Sequence, residues 1–173
     1  MTKAFAALLA FSASFIAAPA AALPGGLIIP SDVVSTFDAT CGTLGPTFSS
    51  SIPEAAVSNK WDEFGRSEGA IGRMWLIGVE GSPLILDISD PAPGKESCSV
   101  SAVSHAKTVE AVLIDKFGEK PDVTNVDQQQ FGTRIAFRYT KIWTIKGSNQ
   151  PRKVILVGYS GAPKVRLTLK YGS

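Results

Sequence analysis

A single histidine limits the acid–base and metal chemistry that this 173-residue chain can support. His105 precedes a predicted helix, and one imidazole cannot assemble a histidine-based metal cluster. Residues 158–162, GYSGA, come close to the nucleophile-elbow pattern G-x-S-x-G, but Ala162 replaces its last glycine and no histidine follows Ser160. We therefore expect His105 to be an exposed residue at a helix start and Ser160 to be a turn residue.

Neither phosphate binding nor paired-carboxylate catalysis has a complete motif in the chain. The glycine-rich stretch at 65–72 precedes a predicted strand, whereas a phosphate-cradling loop follows a strand and opens a helix. Glu80, Asp87 and Asp90 are close in sequence, but a paired-carboxylate enzyme needs two acids held in one cleft. We expect no catalytic residue, no metal ion and no cofactor. The alternative is a small exported hydrolase or carbohydrate-acting enzyme whose acidic residues come from distant positions.

The chain contains two cysteines, Cys41 and Cys98. In an oxidising compartment, two cysteines of one domain most simply form a disulfide. A catalytic thiol or a metal site is the other interpretation, and both would require histidine partners that the sequence does not supply. We predict a Cys41–Cys98 disulfide.

The N-terminus predicts export. After Lys3, residues 4–18 form an apolar run, and Ala20 and Ala22 stand where signal peptidase requires small residues. The run is shorter than the roughly 20 residues that span a bilayer. We therefore expect a signal peptide at 1–22, a single domain at 23–173 without a transmembrane segment, and a periplasmic or secreted protein.

Apolar periodicity predicts the helices and strands. Ser31 begins a helix that carries Cys41, and Pro53 begins a second helix that carries Val57 and Trp61. Strands are predicted at 73–79, 84–89, 97–103, 133–145, 152–160 and 164–171, with an amphipathic helix at 105–117 capped by Ser104 and a polar connection at 119–130. This order, ααβββαβββ, predicts an α+β fold: an antiparallel sheet of about six strands with two to three helices packed on one face.

Charge is distributed asymmetrically along the chain. Residues 23–127 carry 15 acidic and seven basic side chains, whereas residues 128–173 carry nine basic side chains and no acidic one. Because side chains alternate across a sheet, the strands at 133–145 and 164–171 each present a polar, cationic row. Lys141 alone interrupts the apolar row of the first of these strands. The cationic rows contain six residues, which are our candidates for contact with an anionic partner: Arg134, Arg138, Lys146, Lys164, Arg166 and Lys170.

Three interpretations of the cationic rows are open. The rows form a solvated face that also discourages edge-to-edge aggregation, a binding face for anionic lipid, an envelope polymer or an acidic protein, or a surface covered by the acidic helical half. The export signal and the lack of an aromatic residue among these cations argue against nucleic acid. On the first interpretation, charge reversal at Arg138, Arg166 and Lys170 leaves folding nearly intact.

Several short features together resemble small exported bacterial proteins of unassigned activity. They are the signal peptide, the helix-borne Cys41, the segment GAIGRMWLIGV, and the segment CSVSAV before an amphipathic helix. The resemblance implies a bacterial envelope setting and transfers no catalytic residue. We therefore interpret the chain as a non-enzymatic binding or accessory protein of the envelope.

Overall fold

Helices and strands make up most of the chain that the computed structural model describes, which is residues 26–43, 48–66, 72–79, 82–89, 97–131, 133–146 and 151–172. The predicted signal peptide lies outside these residues. The helices are α1 (Pro30–Phe37), which continues as a π-helical turn at Asp38–Gly42, α2 (Phe48–Asn59) and α3 (Ala106–Phe117). The strands are β1 (Asp62–Arg66), β2 (Gly72–Val79), β3 (Ser82–Ser89), β4 (Ser97–Ala102), β5 (Val123–Phe131), β6 (Arg134–Ile145), β7 (Arg152–Tyr159) and β8 (Ala162–Tyr171).

These eight strands form one antiparallel sheet in the order β1-β2-β3-β4-β8-β7-β6-β5. Four strands precede α3 and four follow it, and the two halves meet where β4 pairs with β8. The antiparallel α+β prediction is confirmed. The expected count of about six strands and the order ααβββαβββ are wrong, because each half contains one strand more than predicted.

The two additional strands, β1 and β5, are the edges of the sheet. In β1, a register shift between Glu63 and Gly65 interrupts the pairing with β2. In β5, residues 123–130 are exposed or half-buried, and the sequence VTNVDQQQF is mostly polar. An edge strand without a buried side lacks the apolar alternation by which a strand is recognised in a sequence. The sequence of residues 119–130 therefore predicts a polar connection instead of a strand.

One face of the sheet carries the core and the helices. Leu167 of β8 and Leu156 of β7 are buried in one cluster with Val109 and Leu113 of α3. The π-helical turn after α1 is joined to β4 by the predicted Cys41–Cys98 disulfide, which the structure confirms. The polar residues that alternate with these buried ones therefore lie on the opposite, open face of the sheet.

Two predicted helix starts and one predicted buried position are corrected. Helix α1 begins at Pro30, and no side chain caps it, so Ser31 lies in its first turn. Helix α2 begins at Phe48, which places Pro53 inside the helix. Val57, which we assigned to an apolar stripe, is 81% exposed.

Ser104 has a tertiary contact instead of a capping role. Its hydroxyl is buried and donates a hydrogen bond to the backbone oxygen of Ile28 at 2.9 Å, so it holds the segment before α1 against the end of β4. His105 is the residue that precedes α3, and it is exposed, as predicted. Gly118 ends α3 in the left-handed conformation, with φ of 71°, that glycine adopts readily.

Candidate functional site

A groove of about 560 Å³ crosses the open face of the sheet, from β2 and β3 to β6. Its lining includes four of the six predicted cations and one acidic residue, namely Arg138, Lys164, Arg166, Lys170 and Asp87. Three of these cations come from β8, whose other side is buried under the helices. The alternation of β8 therefore places Arg166 and Lys170 over a part of the sheet that is paired on both sides, whereas Lys164 lies at a register shift near the start of the strand.

Strand pairing sets three polar residues of β8 beside serines of β4. Arg166 lies opposite Ser101, Thr168 opposite Ser99, and Lys170 opposite Ser97. All three serines and Thr168 line the groove. The centre of the groove is thus lined by four hydroxyl residues, of which Ser101 is half-buried and Ser97, Ser99 and Thr168 are buried.

The other two predicted cations lie outside the groove lining. Arg134 is exposed at the start of β6, where it pairs with Phe131 at the end of β5. Lys146 is exposed just after β6 and borders a separate cavity with Glu119 and Asp122. The six candidates therefore do not form one cluster, and only four of them share a concave surface.

Arg166 is the best-anchored cation of the groove. Its Nη2 donates to Oδ1 of Asp87 at 2.5 Å and to Oγ of Ser99 at 3.2 Å. Ser99 Oγ is also within 2.9 Å of Thr168 Oγ1. Burial raises the pKa of the Asp87 carboxyl, and the charge of Arg166 lowers it in part. Arg166 is consequently neutralised by a local partner and held in place by three strands.

Arg138, Lys164 and Lys170 form no ion pair with any described residue. Arg138 lies between Asp127 of β5 and Tyr159 of β7 in the strand register. Its Nε is buried and has no hydrogen-bond acceptor among the described residues. A buried donor without an acceptor costs roughly 1–3 kcal/mol. An anionic ligand that accepted a hydrogen bond from Nε of Arg138 would remove this cost.

Strand β7 supplies the part of the groove that sequence reasoning missed. Its apolar composition correctly predicts a central strand, but we expected no contribution from it to the polar face. Ile155, Val157 and Tyr159 nevertheless alternate onto the open face and line the groove. The expectation that no aromatic residue lies among the cations is therefore wrong, because Tyr159 is paired with Arg138 in the strand register. The alternation of β7 was the signal that could have identified it.

Lys141, the exception in the apolar row of β6, belongs to the helix side of the sheet. Its Nζ pairs with the carboxylate of Glu110 on α3, and both side chains are mostly buried. For Lys141, this contact supports the interpretation in which the acidic helical half covers basic residues of the sheet. It does not extend to Arg138, Lys164 or Lys170, which line the face that α1 and α3 leave open.

The described residues contain no group of side chains that could hold a metal ion, since no three of their His, Cys, Asp and Glu residues converge. Ser160 is a turn residue, as predicted, and its Oγ accepts a hydrogen bond from the Phe137 backbone N–H at 2.8 Å. Asp87 is the one acid among the described residues of the groove, and Glu80 and Asp90 lie outside them. None of the described helices is both long enough and apolar enough to cross a bilayer.

Comparison of the chain with protein-family profiles, with curated proteins and with solved structures gave no match. The groove on the open face is therefore the basis on which a function is inferred.

Proposed function

We propose that the protein is an exported, non-enzymatic binding protein of the bacterial envelope and that it contacts an anionic partner through the groove on its open sheet face. The observation that carries this proposal is the charge of the groove, where four cations and one carboxylate line a single concave surface. Three of the cations have no ion-pair partner among the described residues. A concave site lined by one sign of charge concentrates ligands of the opposite sign.

Two features support an extracytoplasmic location, periplasmic or secreted. The Cys41–Cys98 disulfide is typical of oxidising compartments. The composition of residues 1–22 is that of a signal peptide.

The groove supports binding better than the alternative of a hydrolase or carbohydrate-acting enzyme. A paired-carboxylate mechanism needs two acids with separated pKa values in one cleft. Asp87 is paired with Arg166, and no second acid lies among the described lining residues. The groove instead holds three cations that have no ion-pair partner among the described residues, which suits recognition of an anion.

The proposal is tested by measuring binding of residues 23–173 to anionic vesicles, polyglutamate and an acidic polysaccharide, each at low and moderate salt. The groove variant is Lys164→Glu/Lys170→Glu, and the matched control is Arg134→Glu/Lys146→Glu, which makes the same change in net charge outside the groove. Salt should weaken binding of at least one probe. Two reversed contacts worth about 0.5–1 kcal/mol each predict a roughly tenfold loss for the groove variant and little change for the control.

Two outcomes would overturn the proposal. One is that no anionic probe binds at low salt. The other is that the groove and control variants lose binding equally, which would mean that net charge and not the groove attracts the anion. Thermal unfolding of both variants establishes that a loss of binding does not come from a loss of folding.

A further inference from the structure

We infer that the anionic partner is an extended acidic polysaccharide whose chain lies along β8. This inference depends on the binding function proposed above and adds the chemical class of the ligand and its direction in the groove.

The spacing of the unpaired cations favours an extended ligand. Lys164 and Lys170 are six residues apart on β8, which separates them by at most about 20 Å at the usual rise of a β-strand, with a register shift of the β7–β8 pairing at the Lys164 end. Arg138 lies beside the Lys164 end, since its neighbour Tyr159 on β7 is next to the β7–β8 turn. A single phosphate or carboxylate can contact only one end of this groove. A polymer with charges at regular intervals can contact both.

The surface between the two ends is suited to sugar hydroxyl groups. Of the groove residues, Ser101 is half-buried and its hydroxyl can both donate and accept hydrogen bonds, whereas Ser99 and Thr168 are buried and hydrogen-bond to each other. The Asp87 carboxylate, fixed by Arg166, adds acceptor capacity on the β3 side. Ile155 and Val157 form an apolar strip on β7, against which the C–H faces of sugar rings can pack.

A lipid surface fits these residues less well. Membrane contact would combine the cations with exposed apolar side chains on the same face. On β6, the exposed Ile135 and Phe137 alternate with Arg138, so they lie on the other side of the sheet. On the groove side, the exposed Leu76 and Val123 are on β2 and β5, and two strands separate each of them from the cations of β8.

The test uses calorimetric titration of residues 23–173 with defined probes: galacturonate hexamer, galacturonate monomer, the fully methyl-esterified hexamer, hexaglutamate and anionic phospholipid vesicles. The hexamer should bind at least about a hundredfold more tightly than the monomer, because linked contacts reinforce one another. The ester, which keeps the sugar and loses the charge, should not bind detectably. Lys164→Gln and Lys170→Gln should each weaken hexamer binding, and Arg134→Gln/Lys146→Gln should not.

The outcomes separate this inference from the binding function. Tighter binding of hexaglutamate or of vesicles than of the hexamer would overturn the polysaccharide and leave an anion-binding groove in place. Equal affinity for monomer and hexamer would overturn the extended arrangement along β8. Failure of every anionic probe at low salt would overturn both. The glutamine variants keep a polar, unbranched stem of shorter length and remove only exposed charge, so folding is retained.

Discussion

Arg166 of β8 reaches across β4 to Asp87 of β3, with Nη2 2.5 Å from Oδ1. The Asp87 side chain is 14% exposed and that of Arg166 is 45% exposed, so the pair is intermediate between a surface ion pair and a buried one. Removal of one partner from such a pair leaves the other charge partly desolvated. Arg166 is therefore a structural member of the groove, and Lys164 and Lys170 are its accessible cations.

Charge reversal at Arg166 should destabilise the fold, contrary to the expectation for a solvated face. Arg166→Glu sets a second carboxylate beside Asp87, and we expect a loss of about 2 kcal/mol in the free energy of unfolding. Lys170→Glu should change it by less than about 0.5 kcal/mol. Chemical denaturation of the two variants makes the comparison. Equal, small losses would mean that the Arg166–Asp87 pair contributes nothing to stability.

The raised pKa of Asp87 predicts a specific pH dependence. Burial raises the folded-state pKa above the ordinary value of 3.8, with Arg166 opposing the shift. A group of this kind binds its proton more tightly in the folded state, so its contribution to stability rises as the pH falls through the folded-state pKa towards 3.8 and is absent at higher pH. The wild type should therefore gain stability relative to Asp87→Asn over this window. A difference that is constant, or that shrinks with falling pH, would contradict the prediction.

The disulfide should contribute a large share of the stability. Cys41 and Cys98 are 57 residues apart, and closure of such a loop stabilises by about 4 kcal/mol in the chain-entropy treatment. Cys41→Ala/Cys98→Ala should lose about that amount in denaturant unfolding. Reductant should shift the wild-type transition and leave the alanine variant unchanged. A wild-type transition that does not respond to full reduction would contradict the prediction.

The sequence predicts those elements that have one buried side. β2, β3 and β4 alternate clearly, the all-apolar β7 is central, and the Cys41–Cys98 disulfide follows from the cysteine count. The β2–β3 connection is shorter than expected, since the strands still pair at Val79 and Ser82. β5 escapes prediction because an edge strand can fold with neither side buried, and β1 escapes it because it has five residues and an interrupted register.

The sequence predicts the cationic row of β8 but not the groove that this row lines. The alternation of β8 identifies its three cations, but sequence order does not reveal that β8 lies next to β4. The contact between Asp87 and Arg166 spans 79 residues and depends on that pairing. Strand order likewise decides that Arg138 lines the groove with Lys164 and that Lys146 lies outside it. Long-range strand order, which a single sequence does not encode locally, decides which charges meet.

The Lys141–Glu110 pair should stabilise the attachment of α3 to β6. Its side chains are 23% and 17% exposed, whereas those of the Lys116–Asp38 pair are both 39% exposed. Glu110→Ala should cost about 1–2 kcal/mol because it leaves the Lys141 charge partly buried, and Asp38→Ala should cost less than about 1 kcal/mol. Denaturant unfolding compares the two. An equal cost would show that burial does not strengthen the first pair.

Gly158 marks the closest approach of β7 to α3. A Cβ at this position would lie 2.1 Å from the Cβ of Ala106, the first residue of the helix, which is far inside van der Waals contact. Gly158→Ala should therefore destabilise the fold by about 1–3 kcal/mol, because the helix must move away from the sheet.

Ala106→Gly provides the matched partner for this test, because it removes the atom that the new methyl group would meet. In a double-mutant cycle, Gly158→Ala should cost clearly less in the Ala106→Gly background than in the wild type, with a coupling of at least about 1 kcal/mol. Strictly additive costs would mean that Gly158 is required for some reason other than this contact. A coupling of that size would show that α3 packs on the sheet through these two residues. The open face should remain unchanged, because both substitutions lie on the side opposite the groove.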